Sequence, residues 1–302
     1  MVPNLIRPME PVVGEKVIQK DTWLYQIKWD GVRLLSYIGQ DQVHLATRKG
    51  SDRTATYPEL VKALQERELP SAILDGEVIA LEKGKPSFYR LLKRDLSKDK
   101  KRQAALQREI PVYYIVFDLL YLNGRWLTDQ PLEERLARLK EICPSSDRIQ
   151  LCESYDDGEA LFSVTQEHGL EGIIMKERMG KYHLGKKHPT WQKLKHYRQL
   201  EAQVVGVTLR DGRVNALLLG KKQDQDWVYI GGVASGLSAE ELRLLTEWLP
   251  QLAEKEPVVI NPPPITNGCW VTPVLTVTVQ YLEWTPEGTL RTPSIIGFKQ
   301  KT

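Results

Sequence analysis

Two β-patterned runs, Trp23 to Ile27 and Leu34 to Ile38, flank the stretch Lys28-Trp29-Asp30-Gly31-Val32-Arg33. A lysine at the end of a strand faces a cleft with its backbone fixed by the sheet. The Asp30-Gly31 pair predicts a tight turn that doubles the chain back as a hairpin, because Gly31 tolerates positive φ. An ordinary lysine amine has a pKa of about 10.4 and is a poor nucleophile at neutral pH. Desolvation and neighbouring cations lower that value and leave a reactive amine. The competing reading is a hairpin whose Lys28 and Arg33 are merely solvated. Partners for a phosphate-handling lysine elsewhere in the chain decide between the two.

At 302 residues the chain exceeds most single cores and predicts two domains. A hydrophobic content of 41% with 27% charged residues is that of an ordinary globular chain. No apolar run approaches a membrane span, and the N-terminus lacks the core of a signal peptide. Cys143, Cys152 and Cys269 have no CxxC spacing, which argues against a structural zinc site and favours the reducing cytosol. The net charge of +3 is too small to name a nucleic-acid partner. Its distribution is more informative: residues 201–302 carry 9 Lys+Arg against 11 Asp+Glu, leaving 33 against 28 in residues 1–200.

Taken in order, residues 43–47 read as a strand and 57–68 as a helix with Pro58 at its start. Residues 72–80 read as a strand holding Glu77 among apolar neighbours, costly unless the carboxylate has a partner. The basic run Lys93 to Arg108 reads as a solvated helix or loop, with contact to DNA phosphates as the alternative. Residues 111–122 are the most apolar strand candidate, carry Phe117 and belong at the centre of a sheet. Helices follow at 131–142 and 157–168, then a short strand at 172–176 with Glu171 at its mouth. After the Gly- and Lys-rich loop 180–189, alternation over 191–195 puts Lys193 and Lys195 on one face of a strand. Beyond a boundary near residues 197–201, strands at 202–209, 215–221, 226–234, 270–284 and 290–299, with one helix at 239–253, match an OB-type barrel.

The motifs KWDGVR (28–33), TRKG (47–50), LDGEV (74–78), VFDLLYL (116–122), EGIIMKE (171–177), WQKLK (191–195) and LRTPSIIGFK (290–299) occur in that order. This set resembles the ATP-dependent DNA ligase family, within the nucleotidyltransferases that form a covalent lysyl–nucleotide. Its compact bacterial members, including the ligase module of end-joining enzymes, are the nearest likeness. The resemblance implies an α+β fold: an adenylation domain of antiparallel sheets with flanking helices over residues 1–199, then a small OB-type barrel over 200–302.

It further implies that Lys28 is the nucleophile toward ATP, and that nicked duplex DNA with 5′-phosphate and 3′-hydroxyl ends is the acceptor. Gln26, Ile27, Arg33, Arg48, Glu77, Phe117, Lys193, Lys195, Arg291 and Lys299 would bind the nucleotide, Phe117 by stacking on adenine. Glu77 and Glu171 would hold Mg²⁺ or Mn²⁺. Arg33, Arg48, Lys186 and Lys187 would touch DNA. A monomer in the bacterial cytosol follows, with a Ku-like end-binding protein as a partner. Three departures stand out: Gln26 where the family has glutamate, Lys186-Lys187 where arginine is common, and the ending Lys299-Gln300-Lys301-Thr302, which leaves open which lysine meets pyrophosphate. An RNA ligase or GTP-dependent capping enzyme is the alternative within enzymes. A non-catalytic OB-type DNA-binding protein is the alternative outside them.

Overall fold

The computed structural model describes residues 3–40, 42–97 and 99–299, with the side chain of Lys100 outside that description. The chain divides into two compact units, Met1–Lys195 and His196–Thr302.

Two sheets build the first unit. One runs in the order Glu10–Val13, Lys187–Lys195, Gly172–Glu177, Trp23–Ile27, with the first pair parallel and the others antiparallel. The other runs Val43–Thr47, Val32–Ile38, Ala72–Glu82, Val112–Leu122, Arg125–Trp126, and Ile149–Leu151 joins Val112–Leu122 in parallel. Alternation along Val32–Ile38 explains why this second sheet is a middle layer. Leu34 and Ile38 enter a core with Leu60, Leu64, Leu91 and Leu139 of the flanking helices. Leu35 and Tyr37 point to the opposite side, into a core with Trp191 of the first sheet and with Met9 and Tyr182 from the segments that lead into it. The far side of the first sheet is closed by the helix Gly158–Glu167, whose Leu161 packs on Tyr25, Ile173 and Met175.

The hairpin expected around Asp30-Gly31 does not form. Trp23–Ile27 pairs with Gly172–Glu177 in one sheet, whereas Val32–Ile38 pairs with Val43–Thr47 and Ala72–Glu82 in the other. Lys28-Trp29-Asp30-Gly31 is therefore a crossover between sheets. Gly31 is needed for room rather than for positive φ: a Cβ there would collide with the carbonyl of Val78.

The basic run also departs from a uniformly solvated segment. It forms the helices Phe88–Asp95 and Lys100–Glu109, and Arg94 lies in the interior at 1% exposure. Its guanidinium takes both oxygens of Glu59, at 2.5 and 2.7 Å, and lies over the Tyr57 ring. Lys93 pairs with Glu109, while Lys101, Arg102 and Arg108 remain exposed, and Lys98 lies outside the described residues.

The second unit is organised on the strand Arg198–Arg210. One edge pairs with Arg213–Gln223; the other is shared between Gly268–Val271 and Thr276–Tyr281, and Ser294–Lys299 extends the latter. This curled sheet is the OB-type arrangement. The run expected as one strand over 270–284 is broken, because Pro273 has no N–H to give to a ladder. The helix Ala239–Leu252 opens on a capping box between Ser238 and Glu241 and lays Leu242, Leu245 and Leu249 on the barrel core. Among the described residues no helix is long and apolar enough to cross a membrane.

Candidate active site

Lys28 follows the last residue of Trp23–Ile27, and its N–H donates to the carbonyl of Gly172 at 2.9 Å, continuing the pairing by one step. That step brings its amine to Glu171, with which it forms a close ion pair. The other Glu171 oxygen accepts from Lys195 Nζ at 2.8 Å. The three meet because Gly172–Glu177 lies between the strands bearing the two lysines, with Gly172 opposite Lys195. Gly172 has φ +141°, and a Cβ would strike the Leu194 carbonyl, so only glycine allows this approach. Burial works against ionised Glu171, but Lys28 and Lys195 outweigh it and hold the carboxyl below the ordinary range. Burial, Lys195 and Lys28 all push the ammonium of Lys193 down.

Lys28 and Lys193 border a cleft of about 610 Å³ that Gln26, Ile27, Arg33, Arg48, Glu77 and Phe117 also line. Glu77 is the most perturbed carboxyl on its wall. Burial pushes its pKa up to about 8 against the opposing pull of Lys28 and Arg33. Among the described residues no hydrogen bond or ion pair reaches that carboxyl. A carboxyl left this way in a cleft is suited to a ligand hydroxyl or a cation.

Arg33 is differently placed. Its guanidinium grips Asp75 through two bonds, at 2.9 and 2.6 Å, and donates to Tyr182 Oη at 3.2 Å. It lies over the Phe117 ring at 5.3 Å and over Trp191 at 5.8 Å. Burial alone lowers its pKa, but Asp75 more than reverses this, so it stays a cation. The other wall holds Gln26, 1% exposed, whose amide Nε2 donates to Ser154 Oγ at 3.1 Å and leaves its carbonyl unspent on that contact. Arg48 pairs with Glu10 at 3.1 Å; Lys186 and Lys187 stand exposed beside it, where Glu10 N–H donates to the Lys186 carbonyl. In the second unit Arg291 pairs with Glu283 at 2.8 Å and Lys299 with Glu201 at 2.7 Å. Lys301 lies outside the described residues.

Sequence reasoning missed several residues around the cleft. Lys176 is 2% exposed on its wall, 4.0 Å from the Trp191 ring centre and 4.6 Å from that of Phe117, with its pKa pushed down to about 8 by burial. A lysine inside the apolar run of EGIIMKE was the available signal. Asp75, two residues before Glu77, and Tyr182 carried none, because their partners come from distant strands.

Among the described residues no cluster of three or more His, Cys, Asp or Glu side chains forms a ready cage for a metal. A divalent ion held by one or two carboxylates and completed by substrate phosphates does not need one. Hard oxygen donors at Glu77 and Glu171 fit such an ion.

Residues 5–195 match the model of the ATP dependent DNA ligase domain, and residues 210–302 that of the ATP dependent DNA ligase C terminal region. The chain is 33% identical over 297 residues to the multifunctional non-homologous end joining protein LigD of Mycobacterium bovis, covering 95% of this chain and 37% of that protein. The corresponding protein of Pseudomonas aeruginosa is 34% identical over 293 residues, covering 92% and 34%. The chain thus spans about a third of these relatives' length. Among solved structures, mycobacterial DNA ligase D complexed with ATP and MES aligns at 32% identity with a TM-score of 0.58, covering 98% of this chain and 96% of that one. A Lig E DNA ligase, at 18% identity and TM-score 0.64, shares the fold. Fold and model matches together define a two-part, nucleotide-dependent ligase architecture of α+β type. The chain belongs to the ATP-dependent DNA ligase family.

Proposed function

We propose that this chain seals nicks in duplex DNA through a covalent adenylate on Lys28, with residues 1–199 acting as the nucleotidyltransferase domain and 200–302 as the OB domain. The observation that carries the reading is the Lys28–Glu171–Lys195 bridge at the edge of the cleft. In the first step Lys28 Nζ forms a bond to the α-phosphorus of ATP and pyrophosphate leaves. The Glu171 oxygen already on that amine is placed to take its proton. The 5′-phosphate oxygen of the nick then displaces the lysine to give an AMP-capped end, and the 3′-hydroxyl displaces AMP. Each step is phosphoryl-type transfer, where positioning and charge neutralisation dominate.

Lys193 and Lys195 supply cations for the α-phosphate, and Glu77 takes a ribose hydroxyl or, with Glu171, holds Mg²⁺ or Mn²⁺. The metal would neutralise phosphate charge. Phe117 provides a face for adenine, and Gln26, its amide nitrogen engaged by Ser154, offers a carbonyl to the adenine amino group. Arg291 and a C-terminal lysine, Lys299 or Lys301, would orient the departing pyrophosphate. Arg33 acts through Asp75, whereas Arg48, Lys186 and Lys187 face DNA phosphates. The relatives' names as end-joining proteins support that setting; there the chain would work as a monomer in the bacterial cytosol, with a Ku-like end-binding protein as its partner.

The test is incubation with α-labelled ATP and GTP in parallel, followed by nicked duplexes with DNA or RNA termini. ATP labelling that chases onto a DNA nick is expected. Preferential GTP labelling, or transfer only to RNA ends, would turn the reading toward a capping enzyme or RNA ligase.

A further inference from the structure

Tyr182 is a buried residue with no part in the chemistry above, yet three segments of the first unit converge on its hydroxyl. It donates to Asp75 Oδ2 at 2.6 Å, and it accepts from Arg33 at 3.2 Å and from the Met9 N–H at 3.1 Å. That is one donor and two acceptor sites, the full capacity of a phenol oxygen. Its ring stands edge-on to Trp191 at 5.5 Å, and the Arg135 guanidinium lies over it. Tyr182 itself belongs to the Lys- and Gly-rich loop, and its N–H donates to the Thr128 carbonyl.

The Met9 bond reaches further than one residue. The next strand, Glu10–Val13, pairs with Lys187–Lys195, Glu10 N–H takes the Lys186 carbonyl, and Gly185 N–H takes the Arg7 carbonyl. The Glu10 carboxylate holds Arg48. Lys186 and Lys187 are therefore carried on one of two segments laced to each other, Arg48 joins them from the end of Val43–Thr47 through Glu10, and the Tyr182 hydroxyl ties the laced pair to the strands that form the cleft floor. On the other side of the same oxygen, Arg33 packs on Phe117 and Trp191.

We propose that Tyr182 is a positioning residue that registers the basic face of Arg48, Lys186 and Lys187 against the nucleotide cleft, so that backbone phosphates of the DNA are held in line with the adenylated lysine. This rests on the nick-sealing reading. Removing the hydroxyl leaves both Arg33–Asp75 bonds in place, so the nucleotide end keeps its anchor while the laced segments lose their bond from Met9 to the Tyr182 oxygen.

The experiment uses the full chain and Tyr182→Phe, which keeps the ring contacts. Nicked-duplex affinity is expected to fall about tenfold, the equivalent of ~1.4 kcal/mol, with self-labelling by ATP changed far less. Amide hydrogen exchange should rise across residues 7–13 and 180–188 but not across 72–80. In a double-mutant cycle, Tyr182→Phe should cost much less when Lys186 and Lys187 are already alanine, because the bond would then register nothing. Additive effects in the cycle would overturn the proposal, as would equal losses in labelling and nick binding. A wild-type chain that does not bind nicked DNA at all would instead sink the reading beneath it.

Discussion

Beneath the cleft, charge is locked; at its mouth, charge is exchangeable. On the floor Arg33 grips Asp75, and Arg135, fully buried, takes both oxygens of fully buried Asp118 at 2.7 and 2.8 Å while donating to two carbonyls. Each guanidinium matches its carboxylate bidentately, and a further donor goes to the Tyr182 hydroxyl from Arg33 and to backbone carbonyls from Arg135. At the mouth, Glu171 is shared between Lys28 and Lys195 by single contacts, and Lys193 and Glu77 are shifted toward their neutral forms. An ammonium is a point charge that changes partners and loses its proton far more readily than a guanidinium. The difference teaches where chemistry belongs. Forked arginine pairs hold a shape, and single lysine contacts leave room for a phosphate to take a partner's place.

The largest expected effect breaks the mouth alone. Lys28→Arg keeps a cation for Glu171 but cannot present a neutral nitrogen, so self-adenylation should fall by ~10⁴-fold or more. The melting temperature should stay near that of the wild type. Retained labelling would remove Lys28 from the role of nucleophile.

Next comes the floor. Arg135→Leu strands the Asp118 carboxylate in the interior, and breaking such a pair costs about 3–5 kcal/mol. Urea unfolding reads this directly. A variant that unfolds like the wild type yet no longer labels would place Arg135 in the chemistry and blur the distinction drawn here.

Lys176 lies between the two regions and sharpens the comparison through pH. Burial, first among the causes, puts its pKa near 8, below the 10.5 of an exposed lysine. Asp118, Cys152 and Asp75 favour the cation, and Arg33 opposes it. The unfolded chain therefore binds more protons between pH 8 and 10.5, and this residue's penalty, complete below pH 8, fades as pH rises. Replacing it as Lys176→Met should stabilise the protein by about 1–2 kcal/mol at pH 7, after the forfeited attraction between the ammonium and the two rings is discounted. That advantage should shrink toward pH 10. Thermal melts of both proteins across this range measure it, and a constant difference would show that Lys176 is not desolvated.

The smallest effect concerns the exposed basic face. Replacing Lys186 and Lys187 by alanine should lower the slope of log affinity against log salt by ~0.9 for each DNA phosphate that is no longer neutralised. An unchanged slope would mean that neither lysine meets the DNA backbone.

Much of this arrangement is legible in the chain itself. Alternation and turn residues mark most strands of the first unit, and Lys28, Glu77, Glu171, Lys193 and Lys195 all fall at strand ends or within strands. What stays hidden has a common cause. The failed hairpin at Asp30-Gly31 looks local, but Trp23–Ile27 pairs with Gly172–Glu177 about 150 residues away, and Val32–Ile38 is filled on its two edges by Val43–Thr47 and the more distant Ala72–Glu82. Arg94 reads as surface charge and Arg33 as a ligand-binding cation, because their carboxylates, Glu59 and Asp75, lie 35 and 42 residues distant. Buried guanidinium pairs leave no periodic trace, since the spacing that satisfies them exists only after the sheets have stacked. Tyr182, in a loop of lysines and glycines, is hidden for the same reason.

The central claim is that Lys28, paired through a single exchangeable contact at the mouth of a rigidly braced cleft, carries AMP. Its most direct test is peptide mapping of the protein after incubation with ATP and a divalent cation. A single acid-labile adenylate is predicted, on the peptide containing Lys28, disappearing when nicked DNA is added. A nucleotide on Lys193, Lys195 or Lys176 instead, or an adenylate on Lys28 that nicked DNA fails to discharge, would contradict it.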